Sequence, residues 1–378
     1  MGILVITWNF PPRRGGIENL TSNLCRGLKA SYSVFVITSG ASVPAPEEGV
    51  FRPRWRGLLP FFLFAFAYGC LLLWRNREIK IILGGSALVT PLILSLARIF
   101  RRKAVVNVHG LDLIYPSVFY QILFVRWLNK LDRVVANSQH TASVVIEKKV
   151  KRDSVLIIPP SVDCNAFASL RADEVKRELG LDGRSVILSV GRLTLRKGIK
   201  EFLEKSLPDI LKEVPDTCFL IVGENPTEAL IHNREDMMGE IKALTKSMGL
   251  ETHVRLLGGL SDSNLAKVYQ ASDLVVLPAL WMKEDAEGFG IVMIEGAAAG
   301  QPSVATRVGG IPDAVEDQKS GILVDPGDYP SITRAIVDLL HDHEARRIMG
   351  EFARKRAREK FSIESIARQY GQLFHSLA

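Results

Sequence analysis

Two carboxylates, Glu287 and Glu295, bracket a glycine-rich turn and an apolar run in the sequence EGFGIVMIE. Glycines let the backbone of such a turn come close to a ligand. A helix is predicted to begin near Ile291, where the first amide groups lack intrahelical partners and the helix dipole is positive. Both properties favour an anion, usually a phosphate. The predicted anion site consists of the backbone at Gly288, Phe289, Gly290, Ile291 and Val292.

Two cationic residues follow a predicted strand earlier in the chain. Arg192 and Lys197 lie in the segment RLTLRKG, directly after the strand SVILSVG. Ligands of parallel sheets bind beyond the carboxyl ends of the strands, so both cations are predicted to reach the same phosphate. They could stabilise a departing diphosphate without a metal ion. The sequence has no obvious Asp-x-Asp motif for a divalent ion, and no metal is predicted.

The two carboxylates are predicted to bind the groups on either side of that phosphate. Glu295 lies about one turn into the helix, where it would repel phosphate but accept hydrogen bonds from a ribose diol. Glu287 precedes the turn and is predicted to face whatever the phosphate carries. A ribose, a diphosphate and a sugar in line describe a nucleotide sugar. Taken alone, the pair is also compatible with an acid at a helix start and a solvated helix acid.

Short β-branched runs alternate with helical segments along the chain, which predicts an α/β protein with doubly wound parallel sheets. The chain has 378 residues, of which 47% are apolar and 24% charged, and this length suits two globular domains. The strand pattern pauses after IPPSVDCNAF and resumes at SVILSVG. We therefore predict an N-terminal domain over residues 1–175, a C-terminal domain over 176–358 and a final helix over 359–378.

Charge is distributed unevenly between the two halves of the chain. Residues 1–170 contain 21 Lys and Arg against 9 Asp and Glu, whereas the remainder contains 27 basic and 32 acidic residues. A basic half indicates an acidic partner, and an anionic membrane surface is favoured. Nucleic acid is not expected, because no aromatic-laced basic motif is present. A basic surface without any partner is the alternative.

The apolar stretch from Leu58 to Trp74 has 17 residues, at the lower limit for a membrane-spanning helix. It fits the alternation of strands and helices, so a buried helix with one face in a membrane surface is favoured over a spanning segment. The four cysteines are widely spaced and fit a reducing cytosol, and the sequence MGILVITWNF lacks the features of a signal peptide. We expect a cytoplasmic protein on the inner face of the cytoplasmic membrane.

Together these motifs resemble the retaining glycosyltransferases of family 4. The resemblance covers nearly the whole chain and includes the two glutamates with seven residues between them, the loop at Gly15-Gly16, and the segments HGLD, VGRLTLRKG, VGGIPDAV and SGILVDPGD. One departure is Pro160-Ser161, where the family commonly has Asn-Gly in a turn. The family implies the GT-B fold, two facing Rossmann-like domains, with the C-terminal helix packing back on the first.

The resemblance implies a role for each candidate site residue of the C-terminal domain. Glu287 looks like the acid that touches the hydroxyl groups of the donor sugar, and Glu295 looks like the ribose ligand. Arg192 and Lys197 look like the diphosphate clamp. The amide cradle of the family matches Gly290, Ile291 and Val292.

Two further candidates belong to the N-terminal domain. His109, in the segment HGLD, resembles the residue that meets the transferred sugar. A lone histidine at a strand end can equally be structural. Gly15 and Gly16 resemble the loop that closes over the phosphates.

The predicted function is retaining hexosyl transfer from GDP-mannose or a UDP-hexose to a lipid-linked or polysaccharide acceptor. A mannosyltransferase is favoured, because EGFGIVMIE resembles the phosphatidylinositol mannosyltransferases. The nucleotide sugar is a substrate, so no cofactor is predicted. A nucleotide-sugar epimerase of similar fold and an inactive nucleotide-binding homologue stay open as alternatives. A nicotinamide dehydrogenase is set aside, because NFPPRRGG is not the expected glycine fingerprint.

Overall fold

The computed structural model describes residues 1–13, 15–40, 47–167, 172–226, 236–282 and 287–377. Over these ranges the chain forms two compact units, each built on a parallel sheet. Unit 1 comprises Met1–Ser161 and Ile363–Ala378, and unit 2 comprises Val162–Ser362. The predicted α/β class with parallel sheets flanked by helices is therefore confirmed.

Unit 1 contains a sheet of seven strands within the described ranges. In chain order the strands are β1 (Gly2–Ile6), β2 (Ser33–Ile37), β3 (Val50–Phe51), β4 (Ile79–Gly84), β5 (Lys103–Val108), β6 (Arg133–Ala136) and β7 (Val155–Ile157). Their spatial order is β3-β2-β1-β4-β5-β6-β7. The helices are α1 (Gly16–Lys29), α2 (Leu58–Arg75), α3 (Thr90–Phe100), α4 (Leu111–Ile114), α5 (Val118–Leu123), α6 (Gln139–Glu147) and, at the C-terminus, α16 (Ile363–Leu377).

Unit 2 contains a sheet of six strands over the same described part of the chain. These are β8 (Ser185–Val190), β9 (Thr217–Val222), β10 (Val254–Gly258), β11 (Leu274–Leu277), β12 (Ser303–Thr306) and β13 (Gly321–Val324). Their spatial order is β10-β9-β8-β11-β12-β13. The helices are α7 (Ala172–Glu178), α8 (Ile199–Lys205), α9 (Leu207–Glu213), α10 (Met237–Ser247), α11 (Asp262–Gln270), α12 (Ile291–Ala299), α13 (Ile311–Ala314), α14 (Tyr329–His341) and α15 (His343–Arg356).

Continuous apolar runs explain the central strands of both sheets. Every residue of β1 and of β9 is buried, because helices cover a parallel sheet on both faces. Since β8 lies between β9 and β11, the carboxyl ends of β8 and β11 are neighbours. The loops that carry the candidate residues of unit 2 leave from these two strand ends.

The chain passes from unit 1 into unit 2 after residue 161, earlier than the expected boundary at residue 175. It returns to unit 1 after residue 362. Phe167 and Val175 are buried in the hydrophobic core of unit 2. The amide of Val162 donates a hydrogen bond to the carbonyl of Phe361 at 2.8 Å. The stretch around Phe167 and Val175, where the strand pattern pauses in the sequence, is therefore anchored to the second sheet by its apolar residues.

The final helix, α16, belongs to unit 1, where it packs against α1. The hydroxyl of Tyr370 in this helix donates a hydrogen bond to Oδ1 of Asn107 at 2.8 Å. Tyr370 and Phe374 are buried in the core beneath β1 and β5. The C-terminal segment therefore completes the core of the unit in which the chain begins.

The helix α2 is long and apolar enough to cross a membrane by length and composition, within the part of the chain that the structure describes. One side of it is buried in unit 1 through Phe61, Ala65 and Leu73. The opposite side exposes Leu59 and Leu63. The helix α2 thus has one packed face and one open apolar face. This agrees with the expected buried helix, and the contact of its open face with a membrane surface stays a prediction.

Candidate active site

A turn after β8 brings Arg196 and Lys197 to the end of that strand. The turn closes at Gly198, whose φ of 66° favours glycine. A Cβ atom at Gly198 would lie 2.0 Å from the carbonyl oxygen of Pro278, so no larger residue fits. The amide of Leu280 donates a hydrogen bond to the carbonyl of Arg196 at 2.8 Å. The backbone of the two cations is therefore fixed against the loop after β11.

The carboxylate of Glu287 lies on these two cations. Its Oε2 accepts a hydrogen bond from Nζ of Lys197 at 2.8 Å and another from the guanidinium of Arg196. The backbone of Glu287 is held as well, because its carbonyl accepts a hydrogen bond from the amide of Gly310 at 2.8 Å. A Cβ atom at Gly309 would lie 2.1 Å from the same carbonyl oxygen. The segment VGGIP thereby positions a carboxylate that lies 22 residues earlier in the chain.

The three side chains of Arg196, Lys197 and Glu287 form a cationic cluster that is largely shielded from water. The exposed fractions of the side chains are 8%, 7% and 13% in that order. Among the described residues, Lys197 shares the carboxylate of Glu287 with Arg196. An ammonium group has three donors, so the buried amine of Lys197 can bind an additional anion.

The pKa values in the cationic cluster follow from this arrangement. Burial raises the pKa of the Glu287 carboxyl, but Lys197 and Arg196 lower it by more, so it lies well below its usual range. Burial lowers the pKa of Lys197, which Glu287 opposes and which the nearby charges of Arg196 and Arg192 reinforce. Within the described ranges, no group of three or more His, Cys, Asp or Glu residues is placed to hold a metal ion.

The residues that are predicted to bind an anion lie at the start of α12, directly after the turn that carries Glu287 and Gly288. Gly290 precedes the helix with a φ of 84°, a conformation that glycine adopts without strain. Phe289 is buried, and its ring meets the ring of Phe361 edge-on with 5.8 Å between centroids. This packing fixes the turn. The amide of Met293 donates a hydrogen bond to the carbonyl of Gly290 at 2.9 Å. The amide groups of Ile291 and Val292 precede the intrahelical bonds and stay available for a ligand.

Glu295 lies one turn into α12, and its Oε2 accepts a hydrogen bond from the hydroxyl of Tyr269 at 2.7 Å. Tyr269 is fully buried in the core of unit 2. Burial raises the pKa of the Glu295 carboxyl, although the bond from Tyr269 opposes this shift. A carboxylate has about four acceptor positions. Glu295 can therefore accept hydrogen bonds from a diol in addition to the one from Tyr269.

Sequence reasoning missed Arg196 and Tyr269. It assigned Arg192 and Lys197 to a diphosphate clamp and did not predict that two cations pair with Glu287. Arg192 is exposed in the loop before Lys197, near enough for its charge to lower the pKa of Lys197. The sequence signal for Arg196 is its position next to Lys197 in RKG. No local signal marks Tyr269, since it lies 26 residues from Glu295 and inside a different helix.

In unit 1, His109 follows β5 and is buried. Its Nε2 lies 2.9 Å from the carbonyl oxygen of Gly85. A carbonyl only accepts, so Nε2 carries a proton and donates it to Gly85. Asp112 holds the backbone here, accepting hydrogen bonds from the amide of His109 at 2.8 Å and from the amide of Ala87 at 3.0 Å. The segment HGLD thus fixes the orientation of the ring.

A small polar pocket lies beside His109 in unit 1. Asn107, Asn137 and Ser161 contribute to its lining. The buried Oδ1 of Asn137 and the buried Oγ of Ser161 have no hydrogen-bond partner among the described residues. These groups can bind a hydroxyl-bearing ligand or an ordered water molecule.

The loop at Gly15-Gly16 leads directly into α1, which begins at Gly16. A Cβ atom at Gly15 would lie 2.4 Å from Oε2 of Glu18. The other oxygen of Glu18 accepts a hydrogen bond from Nδ2 of Asn9 at 2.7 Å. The loop is therefore braced by a buried carboxylate of the first helical turn, and Gly15 leaves the space that this carboxylate needs.

Comparison with known proteins places both units. A family model described as Glycosyltransferase Family 4 matches residues 14–166, and one described as Glycosyl transferases group 1 matches residues 171–356. A GDP-mannose-dependent alpha-(1-6)-phosphatidylinositol monomannoside mannosyltransferase from Mycolicibacterium smegmatis is 28% identical over 375 residues. That alignment covers 92% of this chain and 91% of the relative.

Solved structures share the fold over the whole chain. Anabaena HepE in complex with UDP matches with a TM-score of 0.80 and 21% identity, covering 100% of both chains. Sucrose-phosphate synthase from Thermosynechococcus elongatus matches with a TM-score of 0.78 and 22% identity, covering 100% of this chain and 99% of that one.

Proposed function

We propose, from the premise that this chain is a nucleotide-sugar-dependent glycosyltransferase of family 4 with the GT-B fold, that it transfers a hexose with retention of anomeric configuration. The proposed acceptor is a lipid-linked or saccharide hydroxyl, and the proposed donor is GDP-mannose or a UDP-hexose. Mannose is favoured, because the mycobacterial relative is GDP-mannose-dependent by name. The observation that carries the proposal is the buried amine of Lys197 at the end of β8, which shares the carboxylate of Glu287 with Arg196.

The proposed chemistry uses the positive charge of Lys197. Transfer breaks the bond between the anomeric carbon and the diphosphate, and it forms a bond from that carbon to the acceptor oxygen. Negative charge develops on the departing diphosphate, where Lys197, Arg192 and the amide groups of α12 stabilise it. For retention, the acceptor hydroxyl attacks on the face that the diphosphate leaves, and a diphosphate oxygen takes its proton. Cationic side chains supply the charge, so the proposal requires no metal ion.

The remaining roles are assigned from the chemistry of each group. Glu295, held by Tyr269, accepts bonds from the ribose, and Glu287 accepts bonds from the sugar hydroxyl groups. The roles of His109 at the transferred sugar and of the Gly15-Gly16 loop at the phosphates stay predictions from the family resemblance. The complete and buried cluster supports an active enzyme over an inactive homologue.

A donor screen tests this proposal. GDP-, UDP- and ADP-sugars are added to the protein, and the melting temperature is recorded, since a ligand that binds the folded state raises it. We expect the largest rise with one GDP- or UDP-sugar. Glu295→Gln should weaken the binding of the corresponding nucleoside diphosphate by about tenfold, the contribution of one charged hydrogen bond. The exposed residue Glu351, replaced by Gln, is the control and should bind normally.

Either of two results would contradict these assignments. If no nucleotide sugar shifts the melting temperature, the proposed donor class is wrong. If calorimetry gives Glu295→Gln an unaltered affinity for the nucleoside diphosphate, Glu295 does not bind the ribose.

We also propose that unit 1 binds the inner face of the cytoplasmic membrane through an apolar surface formed by α2 and α5. The most exposed residues of this surface are Val118 at 70%, Phe119 at 80%, Leu59 at 69% and Leu63 at 64%. The two helices are adjacent, because Phe62 of α2 stacks on Phe124 at the end of α5, with 6.1 Å between ring centroids. An apolar surface of this kind is typical of a docking site.

The basic composition of this region favours an anionic bilayer, and not a second copy of the chain, as the partner of the apolar surface. Residues 49–131 contain twelve Lys and Arg but only two acidic residues, Glu78 and Asp112. Each Lys or Arg near an anionic membrane contributes about 1 kcal/mol of attraction. Two copies of the same basic surface would repel each other. Exposed Trp55 and Trp74 are residues that favour a membrane interface.

Vesicle binding tests the membrane proposal. We expect the protein to sediment with anionic vesicles and to be released at about 1 M salt, where the Debye length falls to about 3 Å. The double variant Phe119→Ser/Ile122→Ser should bind at least tenfold more weakly, because it removes two apolar side chains from the lipid contact. Ile348→Ser removes an exposed apolar residue of unit 2 and should bind normally. Retention at high salt would favour a spanning segment, and undiminished binding of the double variant would exclude this surface.

A further inference from the structure

Glu287 is paired with two cations at once, and both of them bind the same oxygen. Arg196 and Lys197 donate to Oε2, and all three side chains are at least 87% buried. A donor diphosphate would introduce two or more negative charges next to this carboxylate. Since a buried carboxylate left without a cation is strongly unfavourable, at least one of the two cations has to remain on Glu287.

Lys197 is the cation that can leave. Its ammonium group lies beside Gly191 at the end of β8, where a Cβ atom would lie 3.4 Å from Nζ and 3.3 Å from Cε. Gly191 therefore leaves the amine open space on the strand end, the place where ligands of parallel sheets bind. A lysine ammonium is a compact charge on a flexible stem with three rotatable donors, so it can turn from a carboxylate to a phosphate.

Arg196 is the cation suited to stay. Its backbone carbonyl is tied to the amide of Leu280 in the loop after β11, and its side chain is 8% exposed. The planar guanidinium offers donors in a fixed fork, which holds a carboxylate in one geometry. Pairing with Arg196 keeps the buried carboxylate of Glu287 charged when Lys197 turns from it to the diphosphate.

We propose that Arg196 is a positioning residue, which remains paired with Glu287 when the donor binds and thereby frees Lys197 to hold the diphosphate. The inference rests on the proposed donor chemistry of this site. Without Arg196, Lys197 is the remaining cation of the cluster, and it is held by Glu287 in competition with the diphosphate. The carboxylate is thus a temporary partner of Lys197 and a permanent partner of Arg196.

Nucleotide binding to four variants tests the proposal, with GDP and UDP as the probes in calorimetry. Arg196→Met should weaken the affinity on the order of tenfold, the value of one charged hydrogen bond lost from Lys197. Arg196→Lys should keep most of the affinity. The double variant Arg196→Met/Glu287→Gln should return to the wild-type affinity, because a neutral amide no longer holds Lys197. Arg347→Met, at an exposed pair on α15, is the control and should bind normally.

A double variant as weak as Arg196→Met would overturn the proposal, because Arg196 would then bind the diphosphate itself. A second measurement needs no nucleotide, namely the pH titration of the Glu287 carboxyl carbon by NMR. We expect that carboxyl to titrate at higher pH in Arg196→Met than in the wild type, and an unchanged titration would also overturn the pairing. Absence of GDP and UDP binding by the wild type would instead contradict the proposed donor, while the NMR result still decides the role of Arg196.

Discussion

We expect Lys197→Ala to lower turnover by on the order of 10²–10³ while the protein stays folded, the effect of removing one group that stabilises developing negative charge. The side chain of Lys197 is 7% exposed, and its amine lies at the end of β8 next to Gly191. In a site shielded from water, such a charge acts on the departing diphosphate more strongly than it would in solvent. The fold should survive, because Arg196 continues to neutralise Glu287.

The measurement is the release of nucleoside diphosphate from the donor that the melting screen identifies, with a membrane lipid extract as the source of acceptor. Lys212→Ala is the matched control, since Lys212 is 74% exposed and pairs only with the neighbouring acid Asp209 among the contacts of its side chain that the structure describes. Its turnover should equal that of the wild type. Undiminished turnover of Lys197→Ala would show that Lys197 does not act on the diphosphate.

The second large effect is expected for Glu287→Gln, which keeps the shape of the side chain but removes its charge. Arg196 and Lys197 are then buried without their anion, and breaking a buried pair by removing one partner costs about 3–5 kcal/mol. We expect a lower melting temperature at neutral pH and a strong loss of turnover. Nucleoside diphosphate should raise the melting temperature of the variant more than that of the wild type, because it supplies the missing negative charge.

The pH dependence gives an independent check on Glu287. Its pKa in the folded protein lies below that in the unfolded chain, because Lys197 and Arg196 outweigh the effect of burial. The stabilisation is therefore complete above the ordinary carboxylate range and is lost as the pH falls below that range toward the folded-state pKa. Thermal unfolding of wild type and Glu287→Gln should converge at acidic pH and differ most at neutral pH.

Glu240→Gln is the matched control for this experiment. Glu240 pairs with Lys200 at 2.5 Å, but its side chain is 42% exposed. Exposed ion pairs contribute about 0–1 kcal/mol, so this variant should melt close to the wild type at every pH. Equal melting of Glu287→Gln and Glu240→Gln at neutral pH would show that the cationic cluster does not stabilise the fold.

Much of the site could be predicted because its parts are local in the chain. The helix start at Ile291, the glycine turn before it and the position of Glu295 all lie within nine residues. The strand-to-loop transition that presents Lys197 is local as well. Helix dipoles, free amide groups and glycine conformations depend on neighbouring residues, so spacing in the sequence is enough to indicate them.

The apolar surface on unit 1 shows where prediction from local pattern fails. The sequence marks the helix α2 by its length and hydrophobicity but gives no such signal for α5 (Val118–Leu123), which has six residues and a mixed composition. None of the residues of α5 is buried. Whether an apolar residue faces the core or the solvent depends on what packs over it, and the covering elements are distant in the chain.

The sequence by itself determined that this protein has parallel α/β sheets, a helix that starts after a glycine turn, and a carboxylate on either side of that start, since periodicity and short spacing encode all three. Tertiary structure alone decided that Arg196 reaches Glu287 across 91 residues and that Tyr269 holds Glu295 across 26. The first pair forms because β8 lies beside β11 in the sheet, and the second forms because α11 packs against α12. The free energy of such a contact depends on burial and on an adjacent partner, and neither is defined until the strands are paired.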